Sequence, residues 1–253
     1  MYQVTLSLPS LPPLAVRIAA LDGAAELAAD PADPGAALAL VRRLGRDNSP
    51  GWLERLPVAL FDRLCAAIFV QEFSGQIECK SACSECAEPF EFGFPLDALI
   101  AVQDQAMVAG APVAAADGFW SIAGGIELRP PTLADLADRL DEPAFLARLV
   151  RAGQPNLAQV EAVLETAAPL LTLPIATPCP HCSAEQQIQF DMARFLVDTI
   201  AAERPFLIRE THLIASRYGW DHASICALPR RDRQAYAALI ESERSAALKW
   251  RAG

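Results

Sequence analysis

The chain has no apolar run approaching the roughly 18–20 residues of a membrane-spanning helix. Its opening stretch, MYQVTLSLPSLPP, has no basic region followed by an apolar core. Neither a membrane segment nor an export signal is therefore expected, and the chain is read as cytoplasmic. Histidine is scarce: there are three, His181, His212 and His222, and none lies in a Gly-x-Ser-x-Gly or His-Glu-x-x-His context. No glycine-rich phosphate loop occurs either, so no enzymatic activity is expected. Positive charge is also short. A formal net charge of -10 disfavours general nucleic-acid binding, because most of that affinity comes from cations set against phosphates.

What is present is enough apolar material for a packed core: 53 % of 253 residues. Much of it is alanine, and only 7 % is aromatic, a balance that favours helix over strand. The expected class is α+β, predominantly helical. Three segments are expected: an N-terminal strand and helix segment over 1–50, a body over 51–200, and a helical C-terminal segment over 201–253.

Residues 4–8 alternate like a strand, and 16–18 resume one after Pro9, Pro12 and Pro13. Helices are expected over 36–44, with Asp33 as cap and Gly45 as stop, and over 52–73, where Leu53, Leu56, Leu60, Leu64 and Ile68 keep the helical period. Residues 97–125 contain an Ala/Gly-rich stretch, then a hairpin turning at Gly124 and Gly125. Thr132 opens a helix with Asp135 at the capping-box position, and further helices are expected over 144–151, 157–168 and 191–218. Gly219 ends the last of these. Asp221 then caps a short helix, and Pro229 starts the final one.

The seven cysteines point to metal rather than to disulfides, because two pairs have the spacing Cys-x-x-Cys. CSECAEPFEFGF and CPHCSAEQQIQF each place such a pair at a turn between two strand-like stretches, with a helix headed by aspartate after them. A redox pair would instead open a helix after a buried strand. Each knuckle supplies two thiolates on one side of an ion, so Cys83, Cys86, Cys179 and Cys182 together would complete the tetrahedron that zinc prefers. The expectation is one structural Zn2+ in a split zinc-ribbon-like small antiparallel sheet, with helices inserted between its halves and a C-terminal helical hairpin. Cys79 is an alternative to Cys83 through a longer loop, His181 is expected at the surface, and Cys65 and Cys226 are expected in the core.

From 203 to 253 there are nine Lys/Arg and six Asp/Glu, so this end is +3 on a body of -13. Trp220, Arg230, Arg231, Arg233 and Tyr236 are the candidate partner surface, since aromatic and Arg side chains anchor interfaces. A helix-turn-helix-like layout there, together with the knuckles, also allows a zinc-ribbon nucleic-acid-binding regulator.

Several motifs occur in a telling order. Leu56-Pro-x-x-Leu-x-Asp-x-Leu64 comes first, then a Cys-x-x-Cys with a Phe strand, Pro131-Thr-x-x-Asp-Leu136, and Cys-Pro-x-Cys with its strand and helix. A closing Tyr218-Gly-Trp220 with Ile225-x-x-Leu-Pro-x-x-x-Arg233-x-x-Tyr236 follows. In this layout, from Val16 to about Glu243, the chain resembles the phage baseplate proteins related to the T-even phage baseplate hub assembly chaperone, found in clusters for contractile tails and phage-like injection particles. The resemblance implies a non-enzymatic assembly factor or minor hub component, cytoplasmic or particle-associated, whose partners are baseplate hub or spike proteins. Zinc is not implied by the resemblance, and membrane or nucleic-acid partners are not expected.

Overall fold

The computed structural model describes residues 1–46, 48–138 and 140–252, the last six of these as backbone. By contact, the chain groups into two compact units. One comprises 3–16 and 47–192, and the other comprises 1–2, 17–46 and 193–253. The grouping differs from the three sequence segments, because most of the N-terminal segment belongs with the C-terminal helices rather than standing apart. The fold is mixed α and β, 49 % helical with small antiparallel sheets, so the α+β class holds.

Near the N-terminus, β1 (Tyr2–Leu6) pairs with β2 (Leu14–Ile18). In the unit containing residues 47–192, α3 (Val58–Glu72) starts directly after Pro57, whose missing N–H costs nothing at a helix start. The expected helix over 52–73 therefore begins later. Leu60, Leu64, Cys65 and Ile68 are all buried, as their spacing requires. Asp62 is buried on the same helix, and one of its oxygens accepts the Leu171 amide at 2.9 Å. Burial pushes its carboxyl up to about 6, against the Leu171 hydrogen bond and with help from the neighbouring Asp191 charge.

A testable consequence follows for Asp62→Asn. The folded protein holds the proton on Asp62 up to about pH 6, whereas the unfolded chain releases it near 3.8. Ionisation therefore costs stability as pH rises through that window. Asparagine keeps an acceptor for Leu171 and carries no charge. At pH 7 the variant should be more stable than wild type by about 1–3 kcal/mol, and urea titrations should show this difference vanishing below about pH 4.

Two hairpins carry the knuckles. In the first, β3 (Gln76–Ala82) pairs with β4 (Pro89–Pro95), Cys79 standing opposite Phe92. In the second, β9 (Thr172–Pro178) pairs with β10 (Glu185–Asp191). Each leads into a helix without a loop: α4 (Leu96–Ala109) and α8 (Met192–Ala202). The duplication reaches the backbone. The amide of Leu96 donates to Gly75 O at 2.8 Å, and that of Met192 to Leu171 O at 3.0 Å, each closing its hairpin in the same way. Gly93 must lack a side chain because a Cβ there would lie 2.7 Å from Ile77 O. The expected single small sheet is instead two separate two-stranded sheets.

Between the hairpins lies a four-stranded sheet of β5 (Val113–Ala114), β6 (Trp120–Ile122), β7 (Ile126–Leu128) and β8 (Val150–Ala152), in sequence order. The β6–β7 turn uses Gly124 and Gly125 at positive φ, as the sequence suggests. Trp120 is fully buried and donates its indole N–H to Pro9 O at 3.0 Å. Helix α5 (Leu133–Ala137) opens on the Thr132–Asp135 capping box. Asp135 also accepts two hydrogen bonds from Arg129, at 2.7 and 2.9 Å. Burial alone would raise the Asp135 carboxyl, but Arg129 and the Thr132 donors outweigh it and hold it at about 2. Helices α6 (Glu142–Leu149) and α7 (Leu157–Ala167) complete this unit, α7 with its own Asn156–Gln159 capping box.

In the other unit, α1 (Gly23–Ala28) is capped by Asp22. Helix α2 (Ala36–Leu44) ends at Gly45 as expected, but Gly35 occupies its N-cap. Asp33 does not cap it, because its side chain accepts the Gly35 amide in the preceding turn. The helical stretch expected over 191–218 is split into α8 and α9 (Arg204–Tyr218), with Pro205 in the first turn of α9 unable to continue a helix from α8. Gly219, in the left-handed region at φ 69, stops α9. Asp221 caps α10 (His222–Cys226), and α11 (Arg230–Ala252) returns along α9 as the expected C-terminal helical hairpin. Leu213, Ile214, Ile225, Ala237 and Ile240 form its core.

Candidate metal centre

Within the hairpin unit, Cys83, Cys86, Cys179 and Cys182 are brought together with all four sulfurs within 4.8 Å of one another. Sulfurs 2.3 Å from a common tetrahedral ion stand about 3.8 Å apart. Two cross-hairpin pairs match that edge: Cys83 to Cys182 at 3.6 Å and Cys86 to Cys179 at 3.8 Å. Cys79 is not in the cluster. It lies inside β3 opposite Phe92, half-buried, with burial raising its thiol. Cys65 and Cys226 are buried elsewhere, as expected of core thiols, and burial pushes both up.

The knuckles share one backbone geometry. In the first, the Cys83 amide donates to Glu88 O at 3.0 Å and the Ala87 amide to Cys83 O at 3.0 Å. In the second, the Cys179 amide donates to Ala184 O at 2.9 Å and the Ser183 amide to Cys179 O at 2.8 Å. Ala87 and Ser183, each just after its second cysteine, both adopt positive φ, 60° and 62°. Such a turn aims amides at the sulfurs. Glu85 N and His181 N lie 3.4 Å from Cys83 Sγ and Cys179 Sγ. These donors favour thiolate over thiol, and the pattern Cys-x-x-Cys alone did not reveal them.

The first thiol of each knuckle is buried and the second exposed. Phe90, with Phe92 and Ile188, packs against Cys83 and Cys179. Edge-on contact between the equivalent residues Phe94 and Phe190, at 5.3 Å, joins the hairpins below the cluster. Thiolates crowded this closely repel, so without a cation Cys83 and Cys86 are driven in opposite directions. The Cys86 amide is the main influence lowering Cys83, which falls to about 7 despite burial. The Glu88 amide favours thiolate at Cys86, but partial desolvation inside the cluster and the three neighbouring thiols win and push it to about 12. A divalent cation removes that conflict. A set of four sulfurs and no oxygen suits a soft or borderline metal rather than magnesium or calcium.

The candidate partner residues divide. Trp220 is 39 % exposed, with a tilted ring contact to Tyr218 at 5.4 Å and an edge-on contact to Tyr236 at 5.3 Å. Arg231 is exposed. Arg230 and Arg233 are not a surface: both are buried, and Arg233 is 0 % exposed. Arg233 donates to Glu26 at 2.6 Å and to Glu210 at 2.7 Å, while Arg230 pairs with Glu203. Their carboxylate partners draw them inward. Glu26 is remote in sequence, and no local pattern announces it. His181 is exposed, as expected of a residue between two knuckle thiols.

No helix among the described residues is long and apolar enough to cross a membrane. No protein-family model, curated protein or solved structure matches the chain.

Proposed function

We propose that this protein is a non-enzymatic assembly factor or minor component of the baseplate hub of a contractile phage tail or phage-like injection particle, stapled by one structural zinc. The observation that carries the reading is the ordered set of motifs from Leu56 to Tyr236. The placement of the motif residues supports a scaffold role for them. Leu56, Leu60 and Leu64 are core, Asp62 braces the start of β9, Thr132 and Asp135 cap α5, and Ile225 and Arg233 are buried where α9, α10 and α11 meet. The gathering of four sulfurs within 4.8 Å, two pairs of them at the tetrahedral edge, supports zinc, which would tie the two hairpins into a split ribbon.

A protein that attends the assembly of hub subunits needs a rigid body and an exposed anchor. Trp220, Tyr218 and Arg231 are the exposed residues of the closing segment suited to that role. The nucleic-acid reading is less well supported, because Arg230 and Arg233, two of the three arginines that with the knuckles suggest it, are buried and engaged by carboxylates. Affinity capture of the tagged protein from cells expressing a contractile-tail gene cluster should recover hub or spike subunits. Recovery of neither would overturn the proposal.

A further inference from the structure

The two knuckles superpose position for position in backbone geometry at an offset of 96 (179 − 83 = 96). Their side chains differ at most positions, and two of those differences answer each other. Directly after the first cysteine, one knuckle has Ser84 and the other Pro180. Seven residues after it, one has Phe90 and the other Gln186.

These departures are complementary across the pair. Ser84 has an amide proton that needs an acceptor, and Gln186 Oε1 accepts it from the opposite hairpin at 2.9 Å. The Gln186 side-chain amide is held in turn by Ala184 O at 3.3 Å and Glu185 O at 3.1 Å, and Gln186 is 6 % exposed. At the mirror position Pro180 has no amide proton and Phe90 has no acceptor, so nothing is left unpaired. A second asymmetric link runs the same way. His181 Nε2 lies 3.3 Å from Pro89 O, and the Nε2–H tautomer donates to it. The residues equivalent to these two, Glu85 and Glu185, offer no such pair.

We infer that Gln186 is a positioning residue for the metal centre: with His181 it forms a polar clasp that joins the two knuckles independently of the ion and presets the four sulfurs at tetrahedral spacing. This rests on the four-thiolate zinc reading. The clasp acts one bond from a ligand, because Ser84 directly follows Cys83. It holds the exposed thiol Cys182 close to Cys83, and so it chiefly slows the loss of metal. Residues of this kind, which orient ligands without touching the ion, typically alter metal affinity by about 10- to 100-fold.

The test uses the full-length zinc-loaded chain with an excess of a coloured chelator. Gln186→Met removes the acceptor with little change of volume, and Ser84→Pro removes the donor at a point where the other knuckle already carries proline. Each should release zinc about 10-fold faster or more, whereas Ser84→Ala, which keeps the amide, should release it at the wild-type rate. The double variant should be no faster than the faster single, because both changes delete the same hydrogen bond. Loaded with cobalt, Gln186→Met should keep the visible spectrum of a tetrahedral four-sulfur site while yielding the metal at lower chelator concentration. A wild-type release rate in folded Gln186→Met, or additive effects in the double variant, overturns the clasp and leaves the zinc centre standing. If Gln186→Met is not recovered folded, Ser84→Pro against Ser84→Ala decides the same question. A wild-type chain that takes up no zinc overturns both readings.

Discussion

Replacing Cys179 and Cys182 together by serine is expected to take bound zinc from about one per chain to none and to loosen both knuckle hairpins at once. Each hairpin is only two-stranded, and such units are marginal in water unless something else holds them. The apolar cluster between them is small, with Cys83, Phe90 and Cys179 at its centre, so the ion would be the principal tie. In zinc-finger peptides a structural zinc contributes about 10–16 kcal/mol. The loss here should be smaller, because α3, β6 and β7 have buried side chains of their own. A loss of about 4 kcal/mol would still lower the unfolding midpoint by about 10 °C in a chain of this size. Elemental analysis and thermal unfolding, each with and without chelator, read the result. Chelator should reproduce the shift in wild type and do nothing to the variant. Cys79→Ser should behave as wild type, since Cys79 lies outside the cluster. Zinc retained by the double variant would mean that the ligand set is wrong.

The same cluster indicates how far local pattern reaches. Cys-x-x-Cys between alternating stretches is a short-range signal, and both hairpins follow it. That two turns so far apart in the chain share one centre was legible only because the pattern occurs twice and tetrahedral zinc needs four ligands. The capping boxes and the Gly219 stop were legible for a similar reason: each is settled within a few residues. The start of α4 was legible as the helix headed by Asp97 after the first knuckle, but its extent was not. Residues 96–109 include Ala and Val without a clean polar face, and only Leu96 and Met107 are buried, so periodicity carried little signal. Strands β5 and β8 are two and three residues long and exist through pairing, which no single short segment encodes. The misplacement of Arg230 and Arg233 has the same origin. In sequence they form a basic run at a helix start, and their meaning depends on Glu26, Glu203 and Glu210, brought in by folding.

That dependence sets the second large effect. Arg233→Ala should destabilise the protein by about 3–5 kcal/mol, the usual result of deleting one partner from a buried ion pair. Glu26 and Glu210 would be left facing one another, Arg230 still pairing with Glu26 at 3.5 Å. Even with Arg233 present, burial already raises the Glu26 carboxyl above its ordinary 4.5, and the two arginines only partly oppose that. Without Arg233, the Glu26 carboxyl should rise further. A carboxyl whose folded pKa is raised binds its proton more tightly in the native state, so the variant gains stability as pH falls and loses it as pH rises. Denaturant titrations should therefore show the gap to wild type widest at pH 7 and narrowing towards pH 5. Arg233→Lys should not rescue, because a single ammonium cannot reproduce the separate bonds that Arg233 Nη2 and Nε make to the two carboxylates. Replacing the group together, with Glu26→Gln, Glu210→Gln and Arg233→Met, should recover much of the loss, since no charge then stays buried alone. A cost below about 1 kcal/mol for Arg233→Ala would place Arg233 among surface residues and restore it as a candidate contact. A large cost that shrinks with acid would fix it as the internal tie between α1, α9 and α11.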